Sequence, residues 1–190
     1  MGKRVWLIVA MGLLANGCGD DSPFGDSRLG ENLGIGNNSG PTCNGSDSEE
    51  VALDAEEQRF LELLNQHRAN NGLSPVAACW SLNRAAQLHS EDMRDQDYFD
   101  HSGLNGSSPS SRACDACFES CQSVGFGENI AAGNEDAERT FDQWVNSPGH
   151  NANMLREGYV VVGLGRATGG GRYRSYWTNV FATGSDTSCN

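Results

Sequence analysis

The chain holds four histidines, and their contexts divide them. His67, in "NQHR" near the end of one helical stretch, and His89, on the inner face of another, read as buried rings held by hydrogen bonds. His101 in "FDHS" and His150 in "SPGH" fall in loops at helix boundaries, where a ring can face a cleft, and Glu128 in "GENIA" lies between them. Two neutral imidazoles and a carboxylate suit a weakly held divalent cation such as zinc, with water in an open position. The same three groups also suit general acid and base work on a bound water. Spacing adds little support, because H-E-x-x-H is absent and the residues come from three separate segments.

Other chemistry-bearing patterns are weaker. Ser147 stands three residues before His150, but no G-x-S-x-G elbow surrounds it, and Pro148-Gly149 is expected to swing the pair apart. Cys114-x-x-Cys117 has redox or half-zinc-site spacing but lacks a matching second pair, so disulfide use is expected. "GLGRATGGG" has the glycines of a phosphate loop but sits within a predicted hairpin, where turn chemistry explains it.

The elements that must position these residues follow from periodicity. "LDAEEQRFLELLNQHRANNG" predicts a helix with Asp54 as N-cap, Glu57 closing a capping box, Phe60, Leu61 and Leu64 facing inward, and Asn71-Gly72 as the stop. A second helix is expected from an N-cap at Ser81, with Leu82, Ala85, Ala86, His89 and Met93 on its inner face. Ser108-Pro109 opens a third, which is expected to carry Cys114, Cys117 and Cys121 on one face. "GFGENIAAG" predicts a loop and a short strand; a further helix, capped at Asn134 and stopped by Pro148-Gly149, turns Ala137, Phe141, Trp144 and Val145 toward the core. "YVVVGLGRA" and "RYRSYWTNVFA" are β-branched and aromatic and predict an antiparallel hairpin. Helices first and a hairpin last give an α+β fold with a small antiparallel sheet.

The N-terminus reads as an export signal: Lys3 and Arg4, an uncharged "VWLIVAMGLLA" too short to span a bilayer, then small residues and Cys18. Residues 1–17 are expected to be a signal peptide of lipoprotein type, with Cys18 as the lipidated residue. Using Cys18 for a lipid leaves six of the seven cysteines, Cys43, Cys79, Cys114, Cys117, Cys121 and Cys189, for three disulfides in any of 15 pairings. Removing the leader takes away Lys3 and Arg4 and moves the net charge from −12 to −14, which argues against nucleic acid or anionic lipid as a partner. Residues 18–50 are rich in Gly, Ser, Asn and Asp and are expected to form a flexible tether; residues 51–190 have the size of one domain. A monomer is expected, touching the membrane only through the N-terminal lipid.

Taken in order, "LLNQHRANNGLSPV", "LNRAAQLHSEDM", "FDHS", "GENIAAG", "WVNSPGHNANML", "VVGLG" and "YWTNVFA" resemble the CAP superfamily of cysteine-rich secretory proteins, antigen 5 and pathogenesis-related 1 proteins, in its bacterial, SCP-like branch. The resemblance implies an α-β-α sandwich with a central antiparallel sheet and an exported location. It also implies a shallow cleft of two histidines and two acids that binds zinc or another divalent ion in some members. Carried onto this chain, the histidines are His101 and His150 and the first acid is Glu128, while the position of the second acid holds Ser147. Loss of that carboxylate weakens both cation binding and hydrolysis. The expected function is an exported, non-catalytic binding protein for a small molecule, a lipid, an envelope protein or a labile divalent cation. The alternatives are a peptidase-like hydrolase using Glu128, His101 and His150, and a purely structural polar network.

Overall fold

The computed structural model describes residues 52–189; the expected leader and the whole of the expected tether, with Cys18 and Cys43, lie outside the described residues. Helix α1 (Ala55–Asn70) starts as its sequence demands. The Asp54 carboxylate accepts from the Glu57 N–H and the Glu57 carboxylate accepts from the Asp54 N–H, each at 2.8 Å. Phe60 and Leu64 are buried, and the chain leaves through Asn71 and Gly72, the latter in the left-handed region.

A two-residue strand, β1 (Ala77–Ala78), leads into α2 (Trp80–Asp95). The N-cap is Cys79, not Ser81, because a covalent tie fixes this helix start. Cys79 is disulfide-bonded to Cys189, the two form a β-bridge, and the Trp80 N–H donates to the Ser188 carbonyl. Ser81 is buried, with its hydroxyl on that of Ser188. Helix α3 (Pro109–Asp115) opens on the expected Ser108-Pro109 but ends too early for the predicted cysteine face. Cys117 lies past the helix at φ 69°, and Cys114 pairs with Cys121 across the turn that follows. Cys117 is disulfide-bonded as well.

Strand β2 (Phe126–Ala132) follows, then α4 (Ala137–Val145), α5 (Pro148–Met154), β3 (Val161–Thr168) and β4 (Ser175–Ala182). The cap of α4 is Asp136, whose carboxylate accepts from the Arg139 N–H, not Asn134, whose carbonyl accepts from Trp177 Nε1 and Ser175 Oγ. Pro148 does not merely stop α4: at the first turn of α5, where its missing N–H costs nothing, it starts the next helix.

The sheet order is β1-β3-β4-β2, with β2, β4 and β3 antiparallel and the short β1 added parallel to β3. One layer, α2 with α3, covers Val161, Val180 and Ala182; the other, α1, α4 and α5, encloses Trp144, Trp177 and Phe181. The result is the expected α-β-α sandwich. Two glycines of "VVGLG" explain how close α2 lies: a Cβ on Gly163 would overlap the Leu82 backbone, and one on Gly165 the backbone of Ala86 and Gln87. Turn chemistry applies only to Gly169 and Gly171, in the loop beyond, at φ 85° and 64°. Among the described residues no helix is long and apolar enough to cross a membrane.

Candidate functional site

The edge of the sheet at β2 is where the candidate residues gather. Register makes Gly127 and Asn129 face β4 with their backbone groups, so those of Phe126, Glu128 and Ile130 point outward. The Glu128 carbonyl accepts from Asn153 Nδ2 of α5 and the Ile130 carbonyl from Trp144 Nε1 of α4, which fastens those helices to the edge. Gly127 is required here, since a Cβ would collide with the Tyr159 hydroxyl and crowd Asn153.

The Glu128 side chain turns toward α3 and is 2 % exposed. One oxygen accepts from His101 Nδ1–H at 2.8 Å, the other from Arg112 Nη2 at 2.6 Å. Arg112 also donates to the carbonyls of His101 and Ser107, so one guanidinium holds the carboxylate and the loop that bears His101. Because a carboxylate only accepts, His101 Nδ1 carries a proton and Nε2 of the neutral ring is a lone pair. The hydrogen bond to Glu128, assisted by its charge, raises the pKa of His101 above the ordinary imidazole value.

His150 comes from the other layer. One helical turn brings it back onto Ser147, with Nδ1 2.8 Å from Oγ, so Pro148-Gly149 does not swing the pair apart but sets it at i, i+3 on one helix face. The ring stacks on Trp144 at 5.9 Å, and its carbonyl accepts from Asn129 Nδ2. Burial, and then the field of His101, lower its pKa. Each of the two rings has Nδ1 taken, by Glu128 and by Ser147, and Nε2 unbonded among the described residues. The open cleft beside His101 has a volume of about 470 Å³ and runs along Phe126, Gly127 and Glu128 to Pro109 and Ser110; Ser147 and His150 are not among its walls.

The set falls short of a resident zinc site. Catalytic zinc uses three protein ligands, whereas this site offers two imidazole nitrogens, with Glu128 consumed as the group that orients one of them. The described residues contain one tighter cluster of ligand types, Cys79, Asp186 and Cys189, but its two sulfurs are bonded to each other. The other two histidines are architectural as expected: His67 bonds Asn151, and His89 Nε2 bonds the Asp100 carbonyl. Arg112, Asn129 and Asn153 are given no role in the motif reading. Asn129 and Asn153 have a signal, inside "GENIA" and "HNANML", and Arg112 has none.

A family model described as CAP, cysteine-rich secretory protein family, matches residues 61–181. The chain is 33% identical over 135 residues to the protein YkwD of Bacillus subtilis (strain 168), covering 68% of this chain and 48% of that one. It is 31% identical over 109 residues to the membrane protein YlbC of the same strain, covering 57% and 31%. It thus spans less than half the length of these curated relatives. Among solved structures it is similar to an extracellular protein containing an SCP domain from Bacillus anthracis str. Ames, with TM-score 0.57, 29% identity and coverage of 66% and 39%. An outer surface protein from Borrelia burgdorferi shares the fold, with TM-score 0.59, 20% identity and coverage of 68% and 95%. With two faces of helices on this sheet, the ordered blocks and a family match over most of the described domain, the chain belongs to the CAP, or cysteine-rich secretory protein, family, in its bacterial SCP-like branch.

Proposed function

We propose that the protein is exported, held at the cell envelope by a lipid on Cys18, and serves as a non-catalytic binding protein whose His101 and His150 rings recognise a ligand or a labile divalent cation. The observation that carries this reading is the state of Glu128. Both its oxygens are engaged, one by His101 and one by Arg112, and its side chain is 2 % exposed, which suits a group that orients His101. A hydrolase would need that carboxylate free to take a proton. His101 Nε2 and His150 Nε2 would hold the cation, which would supply Lewis acidity to an oxygen ligand.

Export is supported by the leader and by disulfides, which persist in oxidising compartments. The extracellular B. anthracis relative points the same way. Calorimetry with zinc on wild type and on His101→Ala/His150→Ala tests the binding. Weak, saturable binding lost in the variant is expected, and negligible binding by both overturns the metal part. The mass of the N-terminal peptide tests lipidation. A structural reading has its own support in the Asn129 bond to the His150 carbonyl and the stack on Trp144. It would stand if His150→Ala lowered the melting temperature and left every binding measurement unchanged.

A further inference from the structure

Five cysteines fall among the described residues, and four of them pair with one another: Cys79 with Cys189, and Cys114 with Cys121. The fifth, Cys117, is disulfide-bonded too. Its partner therefore lies outside the described residues, where the chain holds two more cysteines, Cys18 and Cys43. The backbone shows that a cysteine stands at 117 for its sulfur. The Cys117 N–H donates to the Cys114 carbonyl and the Phe118 N–H to the Ala113 carbonyl, the pair of bonds that closes a helix through a left-handed residue, here Cys117 at φ 69°. Glycine usually fills that position, because any side chain there is strained.

We propose that the third disulfide joins Cys117 to Cys43, so that the chain ahead of α1 is stapled to the turn after α3. The choice of Cys43 over Cys18 rests on the lipid reading above, which occupies the Cys18 sulfur. In forming the bond, the two thiols give up two protons and two electrons to a disulfide oxidant of the exporting compartment, which leaves as its dithiol.

The staple has two consequences. Cys117 follows α3 on one face of the sheet, whereas Asp54 caps α1 on the other. Eleven residues lead from Cys43 to Asp54 and reach at most ~40 Å, so the chain between them becomes a short strap from one helical layer to the other. The second consequence is where a lipid on Cys18 holds the domain. Cys18 is 25 residues from Cys43 and 34 from Ala52, the first described residue. Phe118, next to Cys117, packs edge-on at 6.0 Å against Phe126, a wall of the His101 cleft, so the shorter leash leaves the domain on the cleft side.

Non-reducing mass spectrometry of the full chain tests the pairing. Free thiols are blocked first, and cleavage before Asp115 and after Glu119 then isolates Cys117 from Cys114 and Cys121 on a five-residue piece. That piece is expected to carry the Cys43 peptide. Finding it joined to the Cys18 peptide or to either neighbouring cysteine, or recovered as a blocked thiol, would overturn the proposal. The lipid reading fails separately, through an unmodified mass for the Cys18 peptide, and a Cys43–Cys117 species in the same digest would leave the staple standing. Cys117→Gly suits the left-handed backbone and removes the sulfur, so a loss of stability in it reports the bond. It and Cys43→Ser are each expected to lower the melting temperature by at least ~5 °C, with no further fall in the double variant and one alkylatable thiol in each single one. An unchanged or raised melting temperature in Cys117→Gly, or losses that add in the double variant, would contradict the staple.

Discussion

Arg68 and Arg112 are both buried, and they differ in what their burial secures. Arg68, at 1 % exposure, has no carboxylate partner; it donates to the carbonyls of Ser74, Met154, Arg156 and Tyr159 and ties α1 to the end of α5 and the approach to β3. Burial without a counter-charge draws its pKa down. Arg112 pairs with a buried carboxylate, holds the His101 loop and leaves its Nε without a partner. Arg68 thus ties backbone to backbone, whereas Arg112 ties a buried carboxylate to the loop that carries a histidine.

Substitution tests that contrast, and the largest effect is expected at Arg68. Arg68→Met orphans four carbonyls and should cost about 3–5 kcal/mol in urea unfolding; a loss under ~1 kcal/mol would remove the distinction between the two arginines. Arg112→Met should cost about 2–4 kcal/mol because it strands the buried Glu128 charge. Adding Glu128→Gln should then recover part of that stability, and a double variant no better than the single would show that the ion pair is not what Arg112 supports.

The pH dependence of stability separates the regions next. Burial raises the pKa of Glu57, in the α1 capping box, to about 7. A raised folded-state value means that its contribution is present below the unfolded carboxylate value, 4.5, and is lost as pH rises through about 7. A decline of about 3–4 kcal/mol between those limits is expected at 1.36 kcal/mol per pKa unit, and Glu57→Gln should flatten it while keeping the cap. His101 has the same sign: its bond to Glu128 stabilises below the ordinary value of 6.5 and fades above its raised value. Its half-exposed ring makes that step much smaller. An equal or larger step in wild type that Glu57→Gln leaves intact would place the titration in the cleft instead.

The smallest change is expected from Ser147→Ala, under about 1 kcal/mol, because Ser147 orients a ring already stacked on Trp144. Ser147→Glu should raise the His150 pKa by returning an acid to the site, and an unchanged value measured by NMR would show that the hydroxyl contact is incidental.

Much of this is legible in the sequence, and the misses share a cause. The Asp54 cap, the hairpin and the inward His89 follow from local pattern, and local pattern is enough. Ser81 and Asn134 fit the cap rule, yet a disulfide and an aspartate two residues on decide those starts, because long-range bonds outrank propensity. The pairing of His101 with Glu128 is legible through the family resemblance, whereas Arg112 is not: nothing in "SPSSR" reveals that an α3 arginine will neutralise a β2 glutamate. The Ser147 to His150 contact escapes the sequence because Pro-Gly reads as a break, when proline in the first turn begins a helix.

The most direct measurement of the central claim is a zinc titration of the full chain followed by the imidazole nitrogen resonances of all four histidines. Saturable shifts at Nε2 of His101 and His150, with His67 and His89 unmoved, are the predicted result. No saturable shift at His101 or His150, or shifts of equal size at His67 or His89, would contradict a cation site built from those two rings.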